Sequence, residues 1–565
     1  MSTQLFKNVR QLIAEKRFEE LDRLDIVKPE KFNWVKDVFE AINIQEHPEA
    51  KALIWTNGAE TREYTYRKML EQCNQVLNFL RKHGAEQGDI IFSQLPLLPE
   101  NWLCYLVAIK GGYCLVPAAT VLSLQDIVYR FEKLTPKIVI ADGNSAAKIE
   151  EAEAITHQHI PVKILAEGSR QGWISMETIY QESVVAEAAN TAPDDPLFLF
   201  FTSGTTGMPK VVTHTHLSYP IGHLTTAAWI GLKQGDIHYN ISQPGWAKFA
   251  WSCIFAPWSM GAAVFAFYSE GRFSAQEQLS MIEKYKITTL CCPPTVLRLF
   301  IQEDLQAYRF SLRECVSAGE PLNPPIIDAW QKGTGLMIRD GYGQTESTCM
   351  VINLPGALLK YGSMGKPAFL YDIVIADEDG NILPDDEEGT LAVRMDTGKS
   401  NGIFSGYFGN PEKKAEVFKH GLYYSGDRAY RDKDGYIWFV GRDDDVIKSS
   451  DYRVGPFEVE SILQQHAAIL ESAVVGSPHA VKGYEVKAFA MLRKGFIPWE
   501  GLADEIFVFA RKNLAAYKMP RIIEFVDELP KTISGKIKRA ELRAKEALQK
   551  LERIENNKEF FYKKN

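Results

Sequence analysis

Apolar and polar positions alternate in two rhythms over residues 89–336. Short apolar runs of strand length are separated by longer stretches with helical spacing. Asp89–Gln94 reads as a strand, Asn101–Lys110 as a helix and Tyr113–Ala118 as the next strand. The step recurs where Ser274–Lys286 predicts a helix and Ile287–Cys292 a strand. Strands separated by helices imply βαβ units and parallel sheets covered on both faces. Ligands of such sheets gather at loops beyond the carboxyl ends of the strands.

The texture changes at Gly441. Arg442-Asp443-Asp444-Asp445 is a charged break, and the remainder reads as a small α+β unit. Its pieces are a helix over 456–466, strands over 471–476 and 485–492, a helix over 502–513 and a strand over 521–525. The expected fold class is therefore α/β: a large N-terminal domain of βαβ-layered sheets (1–443) and a small α+β C-terminal domain (444–565). The tail from Lys531 is locally basic.

At 565 residues the chain exceeds what one core organises, which agrees with two domains. A net charge of −8 argues against a nucleic-acid binder, while leaving anionic ligands open because these respond to local charge. Eight cysteines without a C-x-x-C pair read as reduced, buried thiols of an intracellular protein. Residues 1–20 mix both charge signs and lack a signal-peptide run. The longest apolar run, Ile254–Tyr268, is too short to span a bilayer and is broken by Pro257, Ser259 and Gly261. A soluble, cytoplasmic protein is expected. The oligomeric state is not legible.

The strongest chemical signal is Phe201-Thr202-Ser203-Gly204-Thr205-Thr206-Gly207-Met208-Pro209-Lys210, directly after an apolar strand-like run, Pro196–Phe200. Glycines let backbone N–H groups converge on phosphate oxygens, hydroxyls add donors, and Lys210 adds a point charge. The spacing is not that of a P-loop. His214, His216 and His223 offer imidazoles but no second ligand cluster, so core histidines fit better than zinc.

The hydroxyl loop resembles the phosphate-binding signature of the adenylate-forming superfamily: acyl-CoA synthetases, peptide-synthetase adenylation domains and luciferases. Further segments resemble that superfamily's motifs, in its order. Ser317-Ala318-Gly319-Glu320-Pro321-Leu322 is similar to the adenine loop. Asp340-Gly341-Tyr342-Gly343-Gln344-Thr345-Glu346 is similar to the loop that stacks on adenine and binds magnesium. Tyr424-Ser425-Gly426-Asp427 resembles the ribose site, Gly441-Arg442-Asp443-Asp444 the hinge, and Pro530–Lys536 the loop of the catalytic lysine. The resemblance runs over residues 35–545.

It implies ATP, Mg²⁺ and coenzyme A as co-substrates and cofactor, and roles for named residues. Lys210 and Thr202 to Gly207 would hold the departing phosphates, and Glu346 would hold the metal. Gly319, Glu320, Pro321 and Asp340 to Thr345 would surround the nucleotide. Asp427 would bind the ribose, with Arg442 and Arg453 also at the nucleotide. Lys536 would neutralise charge between carboxylate and α-phosphate, and Asp444 would be the hinge.

Ser449–Pro456 resembles the coenzyme A channel of acyl-CoA synthetases, implying Ser450, Tyr452, Lys482 and Arg521 as coenzyme A contacts. Asp451 departs from the glycine usual there, and a carboxylate would repel a polyphosphate. Trp246 falls in a loop resembling the acyl gate. Gly343 stands where acetyl-CoA synthetases carry a Trp, implying a deeper pocket for a medium-chain, branched or aromatic acid. Two alternatives stay open: an adenylating ligase that loads a carrier protein, and a non-catalytic acyl- or nucleotide-binding protein. The chain leaves no room after Asn565 for a fused carrier, which favours coenzyme A as acceptor.

Overall fold

The computed structural model describes residues 2–202, 209–269, 271–449, 452–479, 483–532, 536–552 and 556–563. Its strands form three sheets. In one, Ile90–Gln94, Cys114–Ala118 and Pro196–Thr202 pair in parallel, Lys210–Thr215 folds back on Pro196–Thr202 as an antiparallel hairpin, and Gly406–Tyr407 adds antiparallel beyond it. The helix Glu100–Gly111 that crosses it is buried on every side, which explains the near-continuous apolar sequence there.

The largest sheet is mixed. Its parallel half holds Ala263–Phe267, Ile237–Asn240, Thr289–Cys291, Glu314–Ser317 and Ile338–Gly343. From Ile338–Gly343 onward the pairing turns antiparallel through Cys349–Ile352 and Ser363–Pro367 to Ile437–Arg442. The parallel sheets expected from the alternating pattern are thus only part of the architecture. The second half of the large domain is a run of antiparallel strands with no crossover helices to announce it. The nucleotide-type motifs sit at this change of pairing, where the strands Glu314–Ser317 and Ile338–Gly343 end.

The small domain carries the third sheet. Pro456–Leu463, Ile469–His479, Gly483–Leu492, Glu500–Asn513 and Ile522–Phe525 match the expected helix-strand order closely. The basic tail adds a helix, Arg539–Glu552, and a strand, Glu559–Phe561, paired to Ile522–Phe525. Ionic burial anchors it. The fully buried Lys487 ammonium lies 2.6 Å from Glu524 and 2.5 Å from Glu559, and also pairs with Glu546 of the tail helix. Removing one partner of such a buried set costs about 3–5 kcal/mol, because the remaining charges stay uncompensated. In sequence, Lys536 falls between Glu524 and Glu546, two members of this network.

Candidate active site

A cavity of about 720 Å³ opens where the large sheet's motif loops meet the small domain. Thr202 and Lys210 line one end as a cross-strand pair, at the mouth of the hairpin formed by Pro196–Thr202 and Lys210–Thr215. Its connection, with Ser203, Gly204, Thr205, Thr206 and Gly207, lies outside the described residues. Desolvation, with Lys413 next, lowers the pKa of Lys210, while Glu346 opposes the shift. Lys413 faces the same end paired with Glu416, which leaves Lys210 as the cation placed to meet an anion there.

Glu346 lines the same region and accepts a hydrogen bond from Tyr407 at 3.1 Å. Its backbone is held on both sides: His214 Nε2 meets the Thr345 carbonyl at 2.8 Å, and Phe404 N–H donates to the Glu346 carbonyl at 2.9 Å. Burial lowers the pKa of His214 to about 3, so it serves as a neutral brace. A carboxylate oxygen beside a phosphate-type cation site is a donor set that suits Mg²⁺, a hard ion that shares its ligands with phosphate. The residues fit that ion.

The centre of the cleft is prebuilt around Asp427. Tyr342 Oη donates to Asp427, and Gln344 Nε2 donates to it at 2.6 Å. Gln344 is itself oriented by Ser425 O at 2.9 Å and by Tyr423 Oη, which donates to its Oε1 at 2.8 Å. Arg442 sits across the strand pair from Asp427, with its Nε 3.3 Å from Asp427 Oδ1. Burial raises the pKa of Asp427, opposed first by Arg442; Asp427 in turn raises that of Arg442. Asp427 Oδ1 is buried and accepts no hydrogen bond among the described residues. A ribose hydroxyl would supply one.

Gly319, Glu320, Pro321, Asp340, Gly341, Tyr342, Gly343, Gln344 and Thr345 all line the cleft. Lys536 enters from the small domain and lines it as well. Desolvation lowers the pKa of Lys536 from 10.5, Glu320 being the first group to oppose the shift. Asp444 lies 3.9 Å from the Arg442 guanidinium. Among the described residues, Tyr452, Arg453 and Arg521 do not line the cleft. Tyr452 and Arg453 are exposed on the small domain, Tyr452 stacked on Tyr517 with centroids 4.4 Å apart. Arg521 packs over Tyr562. Ser450, Asp451 and Lys482 lie outside the described residues.

Trp246 and Ala247 line the cavity beside Gly343. A Cβ on Gly343 would collide with the Thr348 carbonyl oxygen and approach the Trp251 ring to 2.6 Å. The depth expected from the missing side chain is therefore not open space. Trp251, from the π-type turn Trp251–Phe255, already puts an indole there. Gly343→Ala is expected to destabilise the protein by about 1–3 kcal/mol, since the clash is with backbone and cannot relax by rotation. The urea midpoint measures it, and an unchanged midpoint would show that the strand pair gives way freely.

Motif reading missed several groups in the cleft. Lys413 and Glu416, from the helix Pro411–Val417, line the phosphate end; Arg539 lines the side near Lys536. Lys248 donates to the Ala318 carbonyl at 2.9 Å and so props the loop Gly319–Leu322. A proline-started, asparagine-capped turn at 410–413 was the available signal for Lys413.

A cleft between a large α/β domain and a small domain, lined from both by acidic and basic side chains, suits a nucleotide-dependent enzyme. The comparisons agree. Residues 41–408 match the family model described as AMP-binding enzyme, and residues 458–536 match the C-terminal domain of AMP-binding enzymes. The 4-hydroxybutyrate–CoA ligase 1 of Metallosphaera sedula is 47% identical over 91% of each chain. The mitochondrial acyl-coenzyme A synthetase ACSM3 of Rattus norvegicus is 41% identical over 92% of this chain and 91% of its own. Among solved structures, the anthranilate CoA ligase AuaEII in complex with anthranoyl-AMP superposes with a TM-score of 0.83. It is 31% identical, over 93% of this chain and 99% of that one. The chain belongs to the AMP-binding enzyme family and is an AMP-forming acid–thiol ligase that uses ATP, Mg²⁺ and coenzyme A. No helix among the described residues is long and apolar enough to cross a membrane.

Proposed function

We propose that the chain joins a medium-chain, branched or aromatic carboxylic acid to AMP in this cleft, and then passes the acyl group to coenzyme A. The observation that carries the reading is the entry of Lys536 into a cleft already built by Asp427, Arg442 and Glu346. Bringing a carboxylate to a triphosphate sets anion against anion, so positioning and charge neutralisation dominate the catalysis. Tyr342 offers an aromatic face to the base, and Asp427 fixes the ribose through its Oδ1, which accepts no hydrogen bond among the described residues. Lys210 receives the charge that leaves as pyrophosphate. Mg²⁺, held by Glu346, would neutralise phosphate charge when bound. Lys536 balances the carboxylate and α-phosphate as the mixed anhydride forms, and Trp246 covers the acyl end.

Asp444 is the proposed hinge and domain limit. Every strand of the third sheet follows it, and the two family matches fall on either side of it. Tyr452, Arg453 and Arg521 are reserved for the second half-reaction, when the small domain presents its exposed face to the cleft. The proposed compartment is the cytoplasm, supported by eight buried cysteines without disulfides. The acid class draws on relatives whose names span 4-hydroxybutyrate, acyl and anthranilate substrates.

A panel of acetate, 4-hydroxybutanoate, hexanoate, octanoate, benzoate and anthranilate, with ATP, Mg²⁺ and coenzyme A, tests the reading through AMP and thioester formation. Hexanoate- to benzoate-sized acids should exceed acetate in kcat/KM by at least about tenfold, given roughly 0.8 kcal/mol per buried methylene. Acetate as the best substrate, or transfer only to a carrier protein, would overturn it.

A further inference from the structure

Arg298 lies in the short helix Pro294–Phe300, outside every motif. Its side chain is 19% exposed and faces carboxylates from both domains. One is Glu320 of the adenine-type loop, at 3.1 Å, which also accepts a hydrogen bond from Thr295 Oγ1 at 2.8 Å. The other is Glu471, on the small-domain strand Ile469–His479, at 3.6 Å and 10% exposed. Glu471 in turn pairs at 2.7 Å with Lys531, at the start of the segment that delivers Lys536. Lys531 also bridges to Ile537, just past that lysine.

Four charges of alternating sign thus run from the Lys536 loop to the nucleotide loop, crossing between domains at Arg298–Glu471. Partly buried pairs are screened by salt far less than exposed ones. Glu320 stands at the far end of the chain and is also the carboxylate that most supports the Lys536 ammonium. Neutral contacts lie beside it: Ser461 Oγ donates to Asn323 Oδ1 at 2.9 Å, and Asn323 Nδ2 donates to Gln464.

We propose that Lys531–Glu471–Arg298–Glu320 is a latch that holds the small domain over the cleft for adenylation, with Arg298 as its positioning residue. The proposal rests on the reading that the small domain changes arrangement between the two half-reactions. Arg298 touches no reacting atom. It raises the fraction of molecules in which Lys536 is in place, and the adenylation rate follows that fraction. The latch must open before thioester formation, so its loss spares the second step.

Arg298→Met and Glu471→Gln, singly and together, test it with hexanoate as the acid. Pyrophosphate release reports adenylation, and synthetic hexanoyl-AMP with coenzyme A reports thioester formation. Each single variant should lose on the order of tenfold in adenylation, about 1.4 kcal/mol, and keep thioester formation within about twofold of the parent. The double variant should fall no further than the weaker single, because each already breaks the Arg298–Glu471 crossing between the domains. Arg298→Lys, which keeps the charge, should recover part of the loss and serves if Arg298→Met does not fold. Unchanged adenylation, equal loss of both half-reactions, or losses that multiply in the double variant would overturn the latch. A parent enzyme that forms no acyl-adenylate would instead overturn the functional reading beneath it.

Discussion

Lys536→Ala should lower acyl-adenylate formation on the order of 10²- to 10³-fold and leave transfer from preformed acyl-adenylate to coenzyme A near the parent rate. One positioned charge at a developing anion is typically worth that much in a site where it needs no reorganisation. The lysine lines the cleft with Asp427, Arg442 and Glu320, whereas the candidate coenzyme A residues Tyr452 and Arg521 are elsewhere on the small domain. On the proposed assignment, the two half-reactions draw on different faces of the same unit. The pH profile carries a second signature. Desolvation makes the neutral amine easier to form, so the ammonium is lost at a lower pH than the ordinary 10.5. Adenylation should consequently fall on the alkaline side before an ordinary lysine would titrate, and thioester formation should not follow it. Measuring pyrophosphate release and thioester formation across pH 6 to 10 resolves the two limbs. Equal loss of both half-reactions in a folded Lys536→Ala protein would remove the lysine from its assigned step.

The residues that were legible in the sequence are those whose type is dictated by local backbone chemistry. Asp427, Gln344, Tyr342 and Arg442 sit in short, ordered motifs, and the structure joins them through hydrogen bonds and an ion pair around one carboxylate. Arg298 was not legible. It occupies a helix position that any surface cation would suit, and its partner Glu471 lies in the other domain. Trp251 escaped for a related reason. It reads as one more core aromatic, and the room it takes at Gly343 is visible only when its turn is packed against the strand Ile338–Gly343. The tail helix Arg539–Glu552 hides its anchoring differently. Among its buried residues is Glu546, held by Lys487, so no apolar stripe marks the face that packs. The antiparallel half of the large sheet lacks crossover helices, and so the periodicity that announces the parallel half is missing there.

Asp444→Pro should separate the half-reactions in the direction opposite to any loss of the coenzyme A face. In the present arrangement the Arg442 carbonyl accepts from Asp445 N–H at 3.0 Å and from Val446 N–H at 3.1 Å. Paired bonds of this kind make Asp443 and Asp444 the inner residues of a helical turn. A proline at 444 fixes its own φ and drives the preceding residue out of the helical region toward extended backbone. The turn at 443–445, proposed here to set the small domain for adenylation, is then strained, while an extended connection remains open to it. Strain of about 1–3 kcal/mol at a hinge shifts the arrangement by on the order of ten- to a hundredfold. Adenylation, followed as pyrophosphate release, should fall by that factor, and thioester formation from synthetic acyl-adenylate should be retained or rise. The Asp444 carboxylate is only 3.9 Å from Arg442, so Asp444→Ala is the control that removes the charge and leaves the backbone free. If Asp444→Ala reproduces the proline effect, the ion pair and not the turn sets the arrangement. If neither variant changes the ratio of the two rates, the chain does not hinge at Asp444.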